Sequence, residues 1–199
     1  MSFFKKLFSG EKKENEKVKE QETAFAGIYT DEHFNKRYTE ENIKENPIFL
    51  DGCLKMVESY YLEYKLAKKV EKPLNHPANL DQVVNEGVGF HIYCKQFQLE
   101  DSQVIMFLSY AFSDFLINTY GFKYYKDSTP EFPYRAITLK YNKNGTVLSL
   151  YPFEYALKVL NKESTFESLY SRIDQQLETL PSADEIIKGL TKEWRPTKI

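Results

Sequence analysis

The apolar positions of this chain change period along its length. Between Asp101 and Tyr120 they fall at 104–108, 110–112 and 115–117, leaving only a narrow small-polar stripe at Ser102, Ser109 and Ser113. A helix apolar nearly all round belongs in a core. Gly121 stands where a left-handed residue would cap it. After it the period shortens to two. Segments 122–126, 134–141 and 146–151 read as strands, with Ile137, Leu139 and Tyr141 alternating with Thr138 and Lys140. Asn144-Gly145 supplies a primed hairpin turn. Pro152 opens the next helix. Ser164 with Glu167 caps another, carrying Phe166, Leu169, Tyr170, Ile173, Leu177 and Leu180, and Ser182 with Glu185 caps a short last one.

Upstream the pattern is also helical. Residues 31–44 place Phe34, Tyr38 and Ile43 at roughly helical spacing behind a cap at Thr30 or Asp31. Pro47 then starts a long helix with Ile48, Leu50, Leu54, Val57, Tyr61, Tyr64 and residues 66–70, stopping before Pro73. Pro77 marks a loop over 72–78. Residues 79–98 read in two ways. Asn79 with Gln82 resembles a capping box and favours a helix interrupted near Gly87 and Gly89, whereas 88–94 also suits a strand. The pattern as a whole predicts one α+β domain over 23–194, its helices on one face of a small three-stranded antiparallel meander. Residues 195–199 form a tail.

Residues 1–22 separate from this domain. The run from Ser9 to Glu22 has Val18 as its only apolar residue, so it reads as a disordered or frayed-helical tether. The tip differs: on a helix Phe4, Leu7 and Phe8 share a face with Phe3 at its edge, while Lys5 and Lys6 point away. That is a small interfacial helix suited to weak peripheral membrane contact, to a partner groove, or to docking on its own domain, with simple disorder of the tip as the remaining reading. No uninterrupted apolar run has the length of a signal-peptide core or a membrane span.

Composition narrows the function classes. The net charge is −2 and only Arg37, Arg135, Arg172 and Arg195 are arginine, which argues against nucleic-acid binding. Cys53 and Cys94 form no disulfide framework, and two thiols in a chain with a full-sized core fit the reducing cytoplasm. Fifteen Tyr and fifteen Phe give either an aromatic binding surface or a chain-wide compositional bias.

Candidate chemistry is sparse. His91 and Cys94 share a face only if their segment is helical, and neither a metal-ligand set nor a nucleophile context surrounds them. Gly87-Val88-Gly89 lacks the remaining residues of a phosphate loop. The acid pairs Glu40 with Glu41 and Asp81 with Glu86 lie in polar, solvent-facing stretches. Arg135 is set to pair bidentately with Glu131 or Glu154, or with a partner's carboxylate.

The segment from Leu108 to Leu180 resembles a group of uncharacterised bacterial α+β domains, on the motifs Gly121-Phe122-Lys123-Tyr124 and Tyr151-Pro152-Phe153. Tyr124 stands where that group leads one to expect tryptophan. The resemblance implies a small cytoplasmic module and transfers no catalytic residue. The expectation is therefore a non-enzymatic protein-interaction module of adaptor or immunity type, with an unidentified protein partner and no cofactor or metal. The alternative is an enzyme or small-ligand protein with a pocket near His91, Cys94 and the sheet tyrosines. Tyr124 and Arg135 are the further ligand or partner candidates.

Overall fold

A computed structural model describes residues 25–41, 47–64, 66, 71–130 and 132–193. The tip at Phe3, Phe4, Leu7 and Phe8, the tether and the 195–199 tail lie outside the described residues. The chain runs β1 (Gly27–Thr30), α1 (Asp31–Arg37), β2 (Tyr38–Glu40), α2 (Pro47–Glu63), α3 (Pro77–Asn85), α4 (Phe90–Gln96) and α5 (Asp101–Tyr120). There follow β3 (Lys123–Asp127), β4 (Ile137–Lys143), β5 (Thr146–Leu150), α6 (Pro152–Leu160), α7 (Phe166–Glu178) and α8 (Ala183–Glu193).

The class is α+β, but the sheet has five antiparallel strands, not three, in the order β1-β5-β4-β3-β2. The meander β3-β4-β5 is flanked by two strands from the N-terminal segment: Tyr29 lies opposite Val147, and Tyr38 opposite Asp127. The helix expected over 31–44 ends at Arg37, where Tyr38 turns extended (φ −109°, ψ 139°). Phe34 and Tyr38 do stack, with ring centroids 4.1 Å apart. Their spacing of four is met across a helix–strand junction, which is why it imitated one continuous helix.

Helices cover both faces of the sheet, a second departure. Tyr124, Leu139, Leu148 and Leu150 face the main core, which α5 fills with Val104, Leu108, Phe112 and Leu116. The opposite face carries Tyr125 and Val147 under Phe34 of α1, with Tyr38. Asn144 and Gly145 both take positive φ, 53° and 77°, so the β4–β5 turn has the twist that a two-residue hairpin needs. Glu100 and Gln103 form a capping box on α5, and Gly121 ends it in the left-handed region.

The ambiguous 79–98 stretch is two helices separated near Gly87 and Gly89. Pro77 opens α3 instead of lying in a loop, and the preceding His76 Nδ1 accepts the Ala78 N–H at 3.3 Å. Helix α7 is capped by Thr165 with Ser168 in place of Ser164 with Glu167. Among the described residues no helix is long and apolar enough to cross a membrane.

Candidate functional site

Helices α2 and α5 pack side by side, and the chain leading into α3 closes one end of the seam between them. A half-open cleft of about 220 Å3 remains there, lined by Leu54, Val57, Glu58, Tyr61, Leu74, Asn75, Ala111 and Asp114. Ala111, at 0% exposure, is the small residue on the α5 wall. A methyl group there leaves the space that a leucine would fill.

The third wall is held by Asn79, which is fully buried. Its amide donates to the carbonyls of Glu71 (2.8 Å) and Pro73 (3.3 Å), and its oxygen accepts the Glu71 N–H at 3.2 Å and the Tyr61 hydroxyl at 3.3 Å. These bonds satisfy loop backbone that water would otherwise solvate, and they tie α2 to the loop. Asn75 is carried onto α5, where its Nδ2 donates to Ala111 O and to Asp114 Oδ2, both at 3.0 Å. Asn118 Nδ2 donates to the same Oδ2 at 3.0 Å. The cleft therefore has an apolar lining and two carboxylates, Asp114 and Glu58. Among the described residues no lysine or arginine forms an ion pair with either.

The residues that the sequence singled out lie elsewhere. His91 Nε2 meets Asp101 Oδ1 at 2.7 Å, and Lys95, one turn along α4, reaches the same oxygen at 2.8 Å. Burial pushes the Asp101 carboxyl up, but the Lys95 and His91 bonds outweigh it and hold the group below the usual range. A carboxylate in the first turn of α5 also suits that helix's dipole. Cys94 is fully buried, and burial raises its thiol to about 12; Cys53 is raised to about 11 for the same reason. Thiols this weakly acidic carry almost no thiolate near neutrality. Neither His91 nor Cys94 lines the cleft.

Tyr124 is buried on the core face of β3, beside Ser113 and Tyr110. Burial drives its phenol far above the ordinary range and that of Tyr110 to about 12. The Tyr124 and Ser113 hydroxyls have no hydrogen-bond partner among the described residues. Arg135 donates from Nε to Glu154 Oε2 at 2.7 Å, and its guanidinium lies 4.3 Å from the Tyr151 ring centroid and 5.1 Å from that of Phe132. Lys158 reaches the other Glu154 oxygen at 3.0 Å. Of the two acids expected for Arg135, Glu154 is thus in place and Glu131 lies outside the described residues.

Asp81 departs from its expected solvent-facing role. Its carboxylate accepts the backbone N–H groups of Phe166 (2.7 Å) and Glu167 (3.0 Å), joining α3 to the first turn of α7. Burial raises its pKa, and those two bonds only partly oppose the shift.

A second, wider hollow of about 480 Å3 is bordered by Asp31, Asn35, Lys123, Tyr125, Lys140 and Asn142. Its charges are already used. Lys140 donates to Asp31 (2.6 Å) and Asn35 (2.9 Å), and Lys123 pairs with Glu40 at 3.2 Å. No cluster of three or more His, Cys, Asp or Glu among the described residues is placed to hold a metal ion.

Sequence reasoning missed Glu58, Asn75 and Asp114. The available signal was Asp114 itself, the one charge inside the apolar 104–117 run. Comparison with protein-family models, with curated proteins and with solved structures finds no match in any of the three.

Proposed function

We propose that the domain is a non-enzymatic protein-interaction module that receives a side chain of its partner in the cleft between α2 and α5. The observation that carries this reading is the cleft itself. It is concave and half-open, with apolar side chains from two helices and a wall fixed by Asn79. Preformed apolar pockets with a few placed polar groups are where proteins bind most economically, because little ordering is lost on contact. The candidate residues of the sequence support the same view, since His91 and Arg135 hold carboxylates of their own fold and Cys94 is buried. Two buried free thiols support a reducing compartment.

The test fills the mouth of the cleft. Leu54 is half-buried at its edge, so Leu54→Arg adds bulk there without opening the core. A partner recovered in stoichiometric amount by the full chain from native lysate should be lost from a folded Leu54→Arg protein. Equal recovery by both proteins places the contact elsewhere and overturns the reading.

A further inference from the structure

We infer that the group the cleft receives is a lysine side chain of the partner, its stem against Leu54, Val57 and Leu74 and its ammonium on Glu58 and Asp114. This rests on the cleft being the contact site, and it adds the chemistry of what enters. Charge complementarity leads to it. Asp114 is drawn into a partly buried setting and receives only neutral amide donors, and Glu58 stands at the same cleft in no ion pair among the described residues, since Lys55, whose charge it feels from one turn away, is bonded to Asp51. A neutral apolar occupant would offer neither carboxylate a counter-charge, whereas a cation supplies one.

One further feature favours lysine over arginine. Asp114 Oδ2 already accepts from Asn75 and Asn118, so the carboxylate has one oxygen open and cannot take the parallel two-bond fork that arginine prefers. An ammonium is a compact charge with rotatable donors and needs only one such oxygen. The volume agrees. An engineered apolar cavity of about 150 Å3 admits a benzene ring, so 220 Å3 holds a four-carbon stem with room at its root. Because the cleft is half-open, the ammonium keeps part of its water while the stem lies on the apolar walls.

The experiment is a chemical-shift titration of the isotopically labelled full chain with capped tripeptides at millimolar concentration. They carry lysine, norleucine, acetyl-lysine or arginine at the centre, and phenethylamine is added as a free amine. Saturable shifts from the lysine peptide at the amides of Leu54, Glu58, Asn75, Ala111 and Asp114 are expected. Norleucine and acetyl-lysine should bind about tenfold more weakly, having lost a charge-assisted hydrogen bond, and arginine should also be weaker. Glu58→Gln, at an exposed position, should reduce lysine affinity by about two- to fivefold, and Asp114→Asn by more. Norleucine binding as tightly as lysine would overturn the ammonium assignment and leave the cleft reading standing. Phenethylamine binding where the lysine peptide does not would make the occupant a free amine and overturn the lysine assignment. No shift with any probe overturns it too, and the Leu54→Arg recovery then decides separately whether the cleft is a contact at all.

Discussion

The two sides of the sheet solve the same packing problem with different means. On the main side α5 contributes Leu108, Phe112 and Leu116 to the same broad apolar core as Leu139, Leu148 and Leu150, and that core excludes water by area. On the opposite side α1 has seven residues and a single buried apolar one, Phe34. What holds it is mostly charge. Lys140, its side chain 8% exposed, lies 4.9 Å from the ring centroids of both Phe34 and Tyr125 and bonds Asp31 and Asn35 on α1. Arg37 closes the helix onto Asp127 through bonds of 2.7–3.0 Å and lies 5.5 Å from the Tyr38 ring centroid. A small contact area thus obliges polar groups to do the joining, and each is then consumed. Where area suffices, as beside α5, Glu58 and Asp114 are in no ion pair among the described residues. Uncommitted charge is therefore more informative about binding here than charge in general.

Substitutions can break this contrast at either end. Phe112→Ala, at a ring fully buried against Phe166, should cost about 3–5 kcal/mol in chemical denaturation. A loss below about 1 kcal/mol would show that the main layer does not depend on area as argued. Arg37→Ala should cost about 3 kcal/mol, because it strands the Asp127 carboxylate, whose side chain is only 1% exposed.

The same pair has a pH signature. Burial raises the Asp127 pKa, but the Arg37 and Thr129 hydrogen bonds outweigh it and leave the group below its ordinary 3.8. A carboxylate depressed on folding contributes stability above its unfolded pKa, and that contribution disappears as pH falls through the folded value. Unfolding free energy of the wild type should therefore drop below about pH 4, and the drop should be shallower in Arg37→Ala. Parallel acid profiles would show that this pair does not contribute.

Smaller effects sharpen the comparison. Lys140→Met keeps the stem between the two rings and removes the charge. Asp31 and Asn35 remain within reach of water, so stability should change by about 1 kcal/mol or less. A loss of about 3 kcal/mol or more would make the lysine charge itself indispensable to α1. Glu58→Gln should leave stability within about 0.5 kcal/mol while weakening the lysine peptide, a separation that a purely structural carboxylate would not show.

What the sequence revealed follows a physical division. Helix α5, the Asn144-Gly145 turn and the start at Pro152 were legible because each is specified by residues adjacent in the chain. The edge strands were not. Gly27–Thr30 has four residues and Tyr38–Glu40 has three, too few to display an alternation, and each exists only because a distant strand offers it hydrogen bonds. Asn79 looked like a cap by its spacing to Gln82, whereas it braces a loop lying before it in the chain. The cleft was least legible, since Glu58, Asn75 and Asp114 come from three separate elements and meet only after packing. The pairing of Arg135 is more legible: it is one of four arginines, and a glutamate nearby in sequence, Glu154, is its partner.

The origin of the two outer strands has a consequence in time. Residues 27–40 supply both β1 and β2, and so grip the meander from its two sides. During synthesis this segment leaves the ribosome before residues 123–150, and neither strand has its partner until they follow. Closing chain loops of that length is entropically costly and slows folding. Contact order therefore favours the local β3–β4–β5 pairings first and the two outer strands after them. Until that moment β3 and β5 are open edges, and this is the interval in which the nascent chain is most exposed to pairing with the wrong strand.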